Sequence, residues 1–168
     1  MKAIFLDVDY VLNNEDTKVF TKDGWCVFVD DYLVARVKEI VDKTDAIIIL
    51  SSDWRYGLVE EKRKPYLEEL KEKLSEYELH IAGYTPILKE KNEEGFYEEK
   101  FSRGIEIQKY LDEHLEIKEF VILDDRIDMY PNMAHLVRTK HYWGLTEQDV
   151  EKAINILNGK LRKDRHRR

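Results

Sequence analysis

Two apolar runs restrict what this chain can become: AIIIL, from Ala46 to Leu50, and FVIL, from Phe120 to Leu123. Neither alternates apolar with polar residues, so each suits a strand covered on both faces, as in parallel sheets packed between helices. Apolar runs and helical periodicity alternate along the rest of the chain, which is the pattern of an α/β domain with a mostly parallel sheet. Five strands are expected: Lys2 to Asp7, Ala46 to Ser51, Glu78 to Ile81, Phe120 to Asp124 and His135 to Arg138. Between the first two, Leu33, Val34, Val37, Ile40 and Val41 recur at helical spacing behind Asp30 and Asp31, either of which can cap a helix. Further helices are predicted over Leu58 to Ser75, over Gly104 to His114, and from TEQD onward, where Thr146 and Asp149 have capping-box spacing.

Two segments break the alternation. Residues 14 to 29 hold apolar and aromatic runs around Asp23-Gly24 and read as a projecting β-hairpin, and residues 84 to 103 are polar and read as a long surface loop. With 168 residues and 43% hydrophobic content the chain suits one compact domain, placed at residues 1–159, followed by a basic tail, KLRKDRHRR, at 160–168. Residues 1–159 hold 22 basic and 34 acidic side chains, a net −12, which argues against a generally basic nucleic-acid binder. The tail reads either as a solvated end or as a weak phosphate-backbone contact. The lone Cys26 cannot close an internal disulfide, and no apolar stretch is long enough for a signal core or a membrane span. A cytoplasmic location is expected, with no membrane and no obligate protein partner implied.

Chemistry gathers where the strands end. Asp7 and Asp9 follow the first apolar run two residues apart, on one face of an extended chain and about 6–7 Å from each other. Like charges so placed repel and lose hydration, an arrangement that favours a cation or a proton between them. Asp124 and Asp125 follow a second buried run, and Ser51 and Ser52 follow a third. Ligands bind at the carboxyl ends of strands in open α/β sheets, so these residues converge on one edge. Acids from two strands beside hydroxyls from another suit a hard cation with oxygen ligands and an anionic group next to it. Magnesium fits that description, and zinc does not, because the histidines are scattered. A phosphate in this place needs its charge neutralised, and Arg103, at the first turn of a predicted helix, or Lys100 can supply that.

With DVDYVLN, LSSDWR, SRGIEI and ILDD in this order, the sequence resembles the haloacid-dehalogenase-like (HAD) phosphohydrolases. With GLT at Gly144 to Thr146 it is most similar to the HAD domains of RNA-repair ("Swiss Army Knife") proteins and polynucleotide phosphatases. The resemblance extends to about Leu157. It implies a Rossmann-like HAD fold with a five-stranded sheet, a small hairpin flap and no large cap domain. It also implies that Asp7 attacks phosphorus to form an aspartyl-phosphate. Asp9 would then protonate the leaving oxygen and activate the hydrolytic water. Ser51 would bind the phosphoryl group with Ser52 beside it, and Arg103 or Lys100 would neutralise it. Asp124, Asp7 and the Asp9 carbonyl would hold Mg2+, with Asp125 as a ligand through water or a support, and Asp128 as a further acidic neighbour. Tyr10 departs from the family, which commonly has glycine there, and would place an aromatic wall beside the phosphate pocket.

Small-molecule members usually carry a cap, and the two irregular segments here leave room only for a small lid. An open site favours a phosphorylated polynucleotide end or protein over a metabolite. Tyr10, Trp25, Trp54, Tyr84, Phe96, Tyr97 and Trp143 are candidates to stack bases, with Trp54 and Trp143 equally suited to the core. The acidic body leaves a small phosphomonoester as a rival substrate. A receiver-type phospho-accepting domain fits less well, since its acidic pair lies on the first strand. A non-catalytic binding module would have no reason to keep two repelling carboxylates at positions 7 and 9.

Overall fold

The computed structural model describes residues 1–17, 22, 28–91, 93–94, 97–99 and 101–161. Its centre is a five-stranded sheet of β1 (Lys2–Leu6), β2 (Ile47–Leu50), β3 (Ile81–Tyr84), β6 (Glu119–Asp124) and β7 (Leu136–Arg138), in the order β3-β2-β1-β6-β7. Each neighbouring pair is parallel. The runs that lack alternation are the inner strands, and their side chains divide by parity. Ile4, Leu6, Ile48, Leu50, Val121 and Leu123 face one side, where helices α1 (Asp31–Thr44), α2 (Lys64–Ser75) and α4 (Glu147–Leu157) pack. Ala3, Phe5, Ile49 and Ile122 face the other, under Ile107 and Tyr110 of α3 (Arg103–Glu113). Burial on both faces is what requires uninterrupted apolar strands.

The chain moves outward from β1 through β2 to β3, then returns past β1 to β6 and β7. The reversal leaves a crevice at the carboxyl ends of β1 and β6, the place where open sheets of this kind hold ligands. Ladder bonds continue one step beyond the strands, with Asp7 N–H donating to Leu123 O (3.0 Å), Ser51 N–H to Leu6 O (2.8 Å) and Thr139 N–H to Asp124 O (3.0 Å). The backbones that carry the acids and the serine are therefore fixed by the sheet.

Helix starts follow local chemistry. Asp30 caps α1 through Tyr32 N–H, Ser102 caps α3 through Ile105 N–H, and Thr146 with Asp149 closes the expected capping box on α4. Three expectations need correction. The helix predicted over Leu58 to Ser75 begins only at Lys64, with Pro65 in its first turn, and Asp53–Leu58 forms a separate 3-10 turn. The strand predicted over Glu78 to Ile81 starts at Ile81, because Glu78 takes a left-handed φ of 58° and Leu79 N–H returns to Leu74 O, ending α2. The polar segment 84–103 is more than a loop, since β4 (Lys89–Lys91) and β5 (Tyr97–Glu99) pair antiparallel within it. The hairpin expected around Asp23-Gly24 lies, except for its flanks, outside the described residues, as does Lys100. Among the described residues no helix is long and apolar enough to cross a membrane.

Gly104 fixes how closely α3 approaches the segment after β6. A Cβ there would stand 2.4 Å from both Met129 C and Tyr130 O. Neither backbone atom can yield without moving α3, and Arg103 is the preceding residue. Gly104→Ala should therefore destabilise the fold by roughly 2–3 kcal/mol in urea unfolding. A loss below about 0.5 kcal/mol would show that this approach is not tight.

Candidate active site

Arg103 is the centre of the site. Its guanidinium Nη1 lies 2.7 Å from Asp124 Oδ2 and 3.0 Å from Asp7 Oδ2, and its Nη2 lies 3.1 Å from Asp53 Oδ1. Its own N–H donates to Asp128 Oδ2 at 3.1 Å. Asp7, Asp124 and Arg103 are each at most 4% exposed. Burial works against the charge on Arg103, but the carboxylates of Asp7, Asp124 and Asp53 outweigh it and hold the guanidinium firmly protonated. Burial pushes the Asp7 carboxyl well above the usual range; Arg103 opposes this, and Asp124 and Asp9 add to it. The Asp124 carboxyl is raised for the same first reason, against Arg103 and the Arg126 N–H that donates to its Oδ1 at 2.9 Å.

The acids meet as their strand positions require. One carboxylate oxygen each from Asp7, Asp124 and Asp125 lies within 4.8 Å of the others. With Asp9 and Asp53 close by and Arg103 among them, the site is rich in carboxylate oxygens, which suits a hard divalent ion. The Asp9 carboxylate stands outside this trio and accepts from Asn13 Nδ2 at 3.2 Å.

At the end of β2, Ser51 is 1% exposed and its Oγ has no hydrogen-bond partner among the described residues. A buried hydroxyl left unsatisfied beside a carboxylate cluster keeps a donor free to turn toward the site. Ser52 is engaged locally, its Oγ accepting from Trp54 N–H at 3.2 Å to start the 3-10 turn. Trp54 itself is in the core, whereas Trp143 is 63% exposed. Trp25 and Phe96 lie outside the described residues.

Tyr10 takes the glycine-like conformation that its position demands, with φ 61°. Its ring stacks on His141 at 3.8 Å between centroids and 17° between planes. His141 Nε2 in turn pairs with Asp125 Oδ2 at 2.8 Å. The loop after β1 is thus joined to the loop after β7 and to the acidic trio. Asn13, fully buried, completes the turn by accepting from Tyr10 N–H (2.7 Å) and donating to Phe28 O (3.1 Å). Gly144 of the GLT segment, at φ 63°, fits against the same turn, where a Cβ would sit 2.9 Å from Asn13 O.

Asn13, Asp53 and His141 were not distinguished by sequence. Asp53 and Asn13 lie inside the quoted motifs, which was the available signal; His141 had none, because its partners are 16 and 131 residues away. A further unforeseen pair, Arg55 with Glu106, is buried behind the site, and Glu106 Oε1 also accepts from Leu88 N–H at 3.0 Å. Arg55 binds Thr85 Oγ1 as well, so this pair joins the ends of β2 and β3 to the helix that carries Arg103.

The fold is a parallel sheet between helices, with an acidic cluster at the switch between β1 and β6. A family model described as "HAD domain in Swiss Army Knife RNA repair proteins" matches residues 3–150, and the chain belongs to that family. No curated protein matches it as a relative. Membership supports a phosphatase-type hydrolase.

The raised carboxyls bear on stability. A group whose folded value lies above its unfolded one stabilises fully below the unfolded value, and that contribution is lost as pH rises through the folded value. Metal-free protein should accordingly lose stability as pH climbs above the ordinary aspartate value of about 4, more than Asp7→Asn does. At about pH 7.5 the metal-free variant should melt roughly 2–5 °C above wild type. Added magnesium should raise the wild-type melting temperature and leave Asp124→Asn nearly unmoved. A wild-type melting temperature indifferent to magnesium would refute the cation site.

Proposed function

We propose that this domain is a magnesium-dependent phosphomonoester hydrolase that forms an aspartyl-phosphate on Asp7 and acts on a phosphorylated polynucleotide end. The observation that carries the reading is the buried, unpartnered Ser51 Oγ beside the Asp7, Asp124 and Asp125 oxygens, with Arg103 among them. In-line phosphoryl transfer needs positioned groups and charge stabilisation more than covalent help from many residues. These side chains are of that kind.

In this mechanism an Asp7 oxygen bonds to phosphorus while the ester P–O bond breaks, and Asp9 gives its proton to the departing oxygen. Asp9, now a carboxylate, takes a proton from the water that attacks the aspartyl-phosphate. The P–O bond to Asp7 breaks, and phosphate leaves with Asp7 restored. Ser51 donates its hydroxyl proton to a phosphoryl oxygen, and Arg103 neutralises the charge that develops there. Ser52 supports the Ser51 backbone, Tyr10 walls the pocket, and Lys100 is the second candidate cation. Asp7, Asp124, Asp125 and the Asp9 carbonyl would hold the magnesium ion, which when bound supplies charge neutralisation to the phosphoryl oxygens.

The polynucleotide part of the proposal draws support from cover. Among the described residues the β3–α3 insertion amounts to one short antiparallel pair, too little to enclose a metabolite. A strand end can enter such a site while the rest of the strand stays outside.

Phosphate release from p-nitrophenyl phosphate, nucleotides and end-phosphorylated oligonucleotides, each with and without magnesium, tests the proposal. Asp7→Asn should lower turnover at least about a thousandfold and Ser51→Ala about a hundredfold. Release that survives Asp7→Asn would overturn the aspartyl-phosphate. Preference for nucleotides over oligonucleotides would favour the small-phosphomonoester rival. Tyr10→Gly should retain turnover of p-nitrophenyl phosphate, because glycine adopts φ 61° without strain and no reacting group is removed. A change in kcat/KM confined to oligonucleotides would identify the Tyr10 ring as a substrate contact.

A further inference from the structure

Two adjoining clefts run along the α4 side of β7. The first, about 510 Å3, is lined by Arg36, Arg138, Lys140, Lys152 and Trp143 together with the first turn of α4. The second, about 760 Å3, shares Arg138, Gln148 and Lys152 with the first and reaches Lys160. Arg36, Arg138, Lys140, Lys152 and Lys160 thus line the two adjoining clefts, against Glu147, Asp149 and Glu151. Asp149 is buried and committed to the α4 capping box, and it meets Lys152 at 3.5 Å. In a chain of net charge −7, a groove with a cationic excess is a local reversal of sign.

Arg138, on the wall of both clefts, ties the groove to the candidate active site. Arg138 is the register partner of Asp124, and its Nε donates to the Asp125 carbonyl at 2.8 Å. Lys140 and Trp143 flank His141, which contacts both Asp125 and Tyr10. At the other end, Lys160 opens the basic segment KLRKDRHRR. The exposed Trp143 indole is on the wall near the acids, and α4 presents its N-terminal turn to the same cleft.

We propose that this groove binds the sugar-phosphate backbone of a single-stranded polynucleotide, with a base stacked on Trp143, so that the strand's terminal phosphate is led toward Asp7 and Ser51. The inference rests on the phosphohydrolase reading for its last step only. Cations at successive points along a groove match a repeating phosphate charge, and an indole beside them matches a base. An acidic peptide would satisfy the cations but not the indole.

Fluorescence anisotropy of a labelled oligonucleotide of about 12 nucleotides, without a terminal phosphate, measures groove binding separately from chemistry. The full chain is used, and variants are first matched to wild type by circular dichroism. Lys140→Glu/Lys152→Glu should weaken binding at least about tenfold and lower the salt slope by about one to two. Trp143→Ala should weaken binding about tenfold. Should the charge reversals disturb folding, Lys140→Gln/Lys152→Gln reads the same surface. Unchanged affinity and salt slope in the lysine variant would overturn the groove. Equal displacement of oligonucleotide by polyglutamate, together with an unaffected Trp143→Ala, would also overturn it in favour of a protein partner. Phosphate release from p-nitrophenyl phosphate is measured in parallel. Turnover without any variant effect on binding refutes the groove alone; weakened variant binding without turnover of any substrate refutes the hydrolase reading and leaves the groove.

Discussion

One guanidinium joins the two strands on which everything else depends. Arg103 Nη1 is shared between Asp7 at the end of β1 and Asp124 at the end of β6, while Nη2 reaches Asp53 after β2. Without it, burial would push the two carboxyls at the edge of the apolar sheet higher still. The dependence is mutual, since a buried guanidinium without those partners would be an uncompensated charge, a defect costing about 3–5 kcal/mol. Arg103 is held from outside by its helix. Gly104 lets α3 lie against Met129 and Tyr130, Asp128 binds the Arg103 N–H, and Glu106, one turn on, anchors α3 to Arg55 and Thr85. Charge and packing therefore fix one another.

How much of this could be read beforehand follows from the range of each interaction. The inner strands were legible because burial on both faces demands an unbroken apolar run, a local property of a few residues. Asp7, Ser51 and Asp124 were legible because each follows such a run, and parallel strands end on one edge. The starts of α1 and α4 were legible as caps, whereas no side chain caps α2 and its start was not. The start of β3 was not, because Leu79 is apolar yet serves to close α2, and hydrophobicity alone does not distinguish the two uses. The β4–β5 pair was hidden for the opposite reason, since Lys89–Lys91 and Tyr97–Glu99 carry little of the apolar patterning that marks a strand. Arg55 and Glu106 looked like two ordinary charges, and only the fold brings them together out of water.

Tyr10 shows how a departure from family pattern is accommodated. A non-glycine residue at positive φ costs about 1–2 kcal/mol. Here the turn is secured independently by Asn13, which bonds Tyr10 N–H and Phe28 O, and the ring gains a partner in His141. The substitution thus exchanges backbone freedom for a contact between two loops. Because His141 also holds Asp125, the aromatic pair restrains a member of the acidic trio that Arg103 does not bond.

That restraint has a consequence beyond the chemistry. The segment carrying His141 is the short connection from β7 to α4, and the same connection presents Lys140 and Trp143 to the basic groove. Its geometry is fixed at both ends, by Thr139 N–H on Asp124 O and by Leu145 N–H on Val11 O in the turn after β1. The loop on the wall of the groove is therefore the one already tied to Asp125 and Tyr10. A change that moves this loop acts on Asp125 through His141, whereas a change in α3 acts on Asp7 and Asp124 through Arg103. The acidic trio is therefore held from two separate elements, the β7–α4 connection and α3.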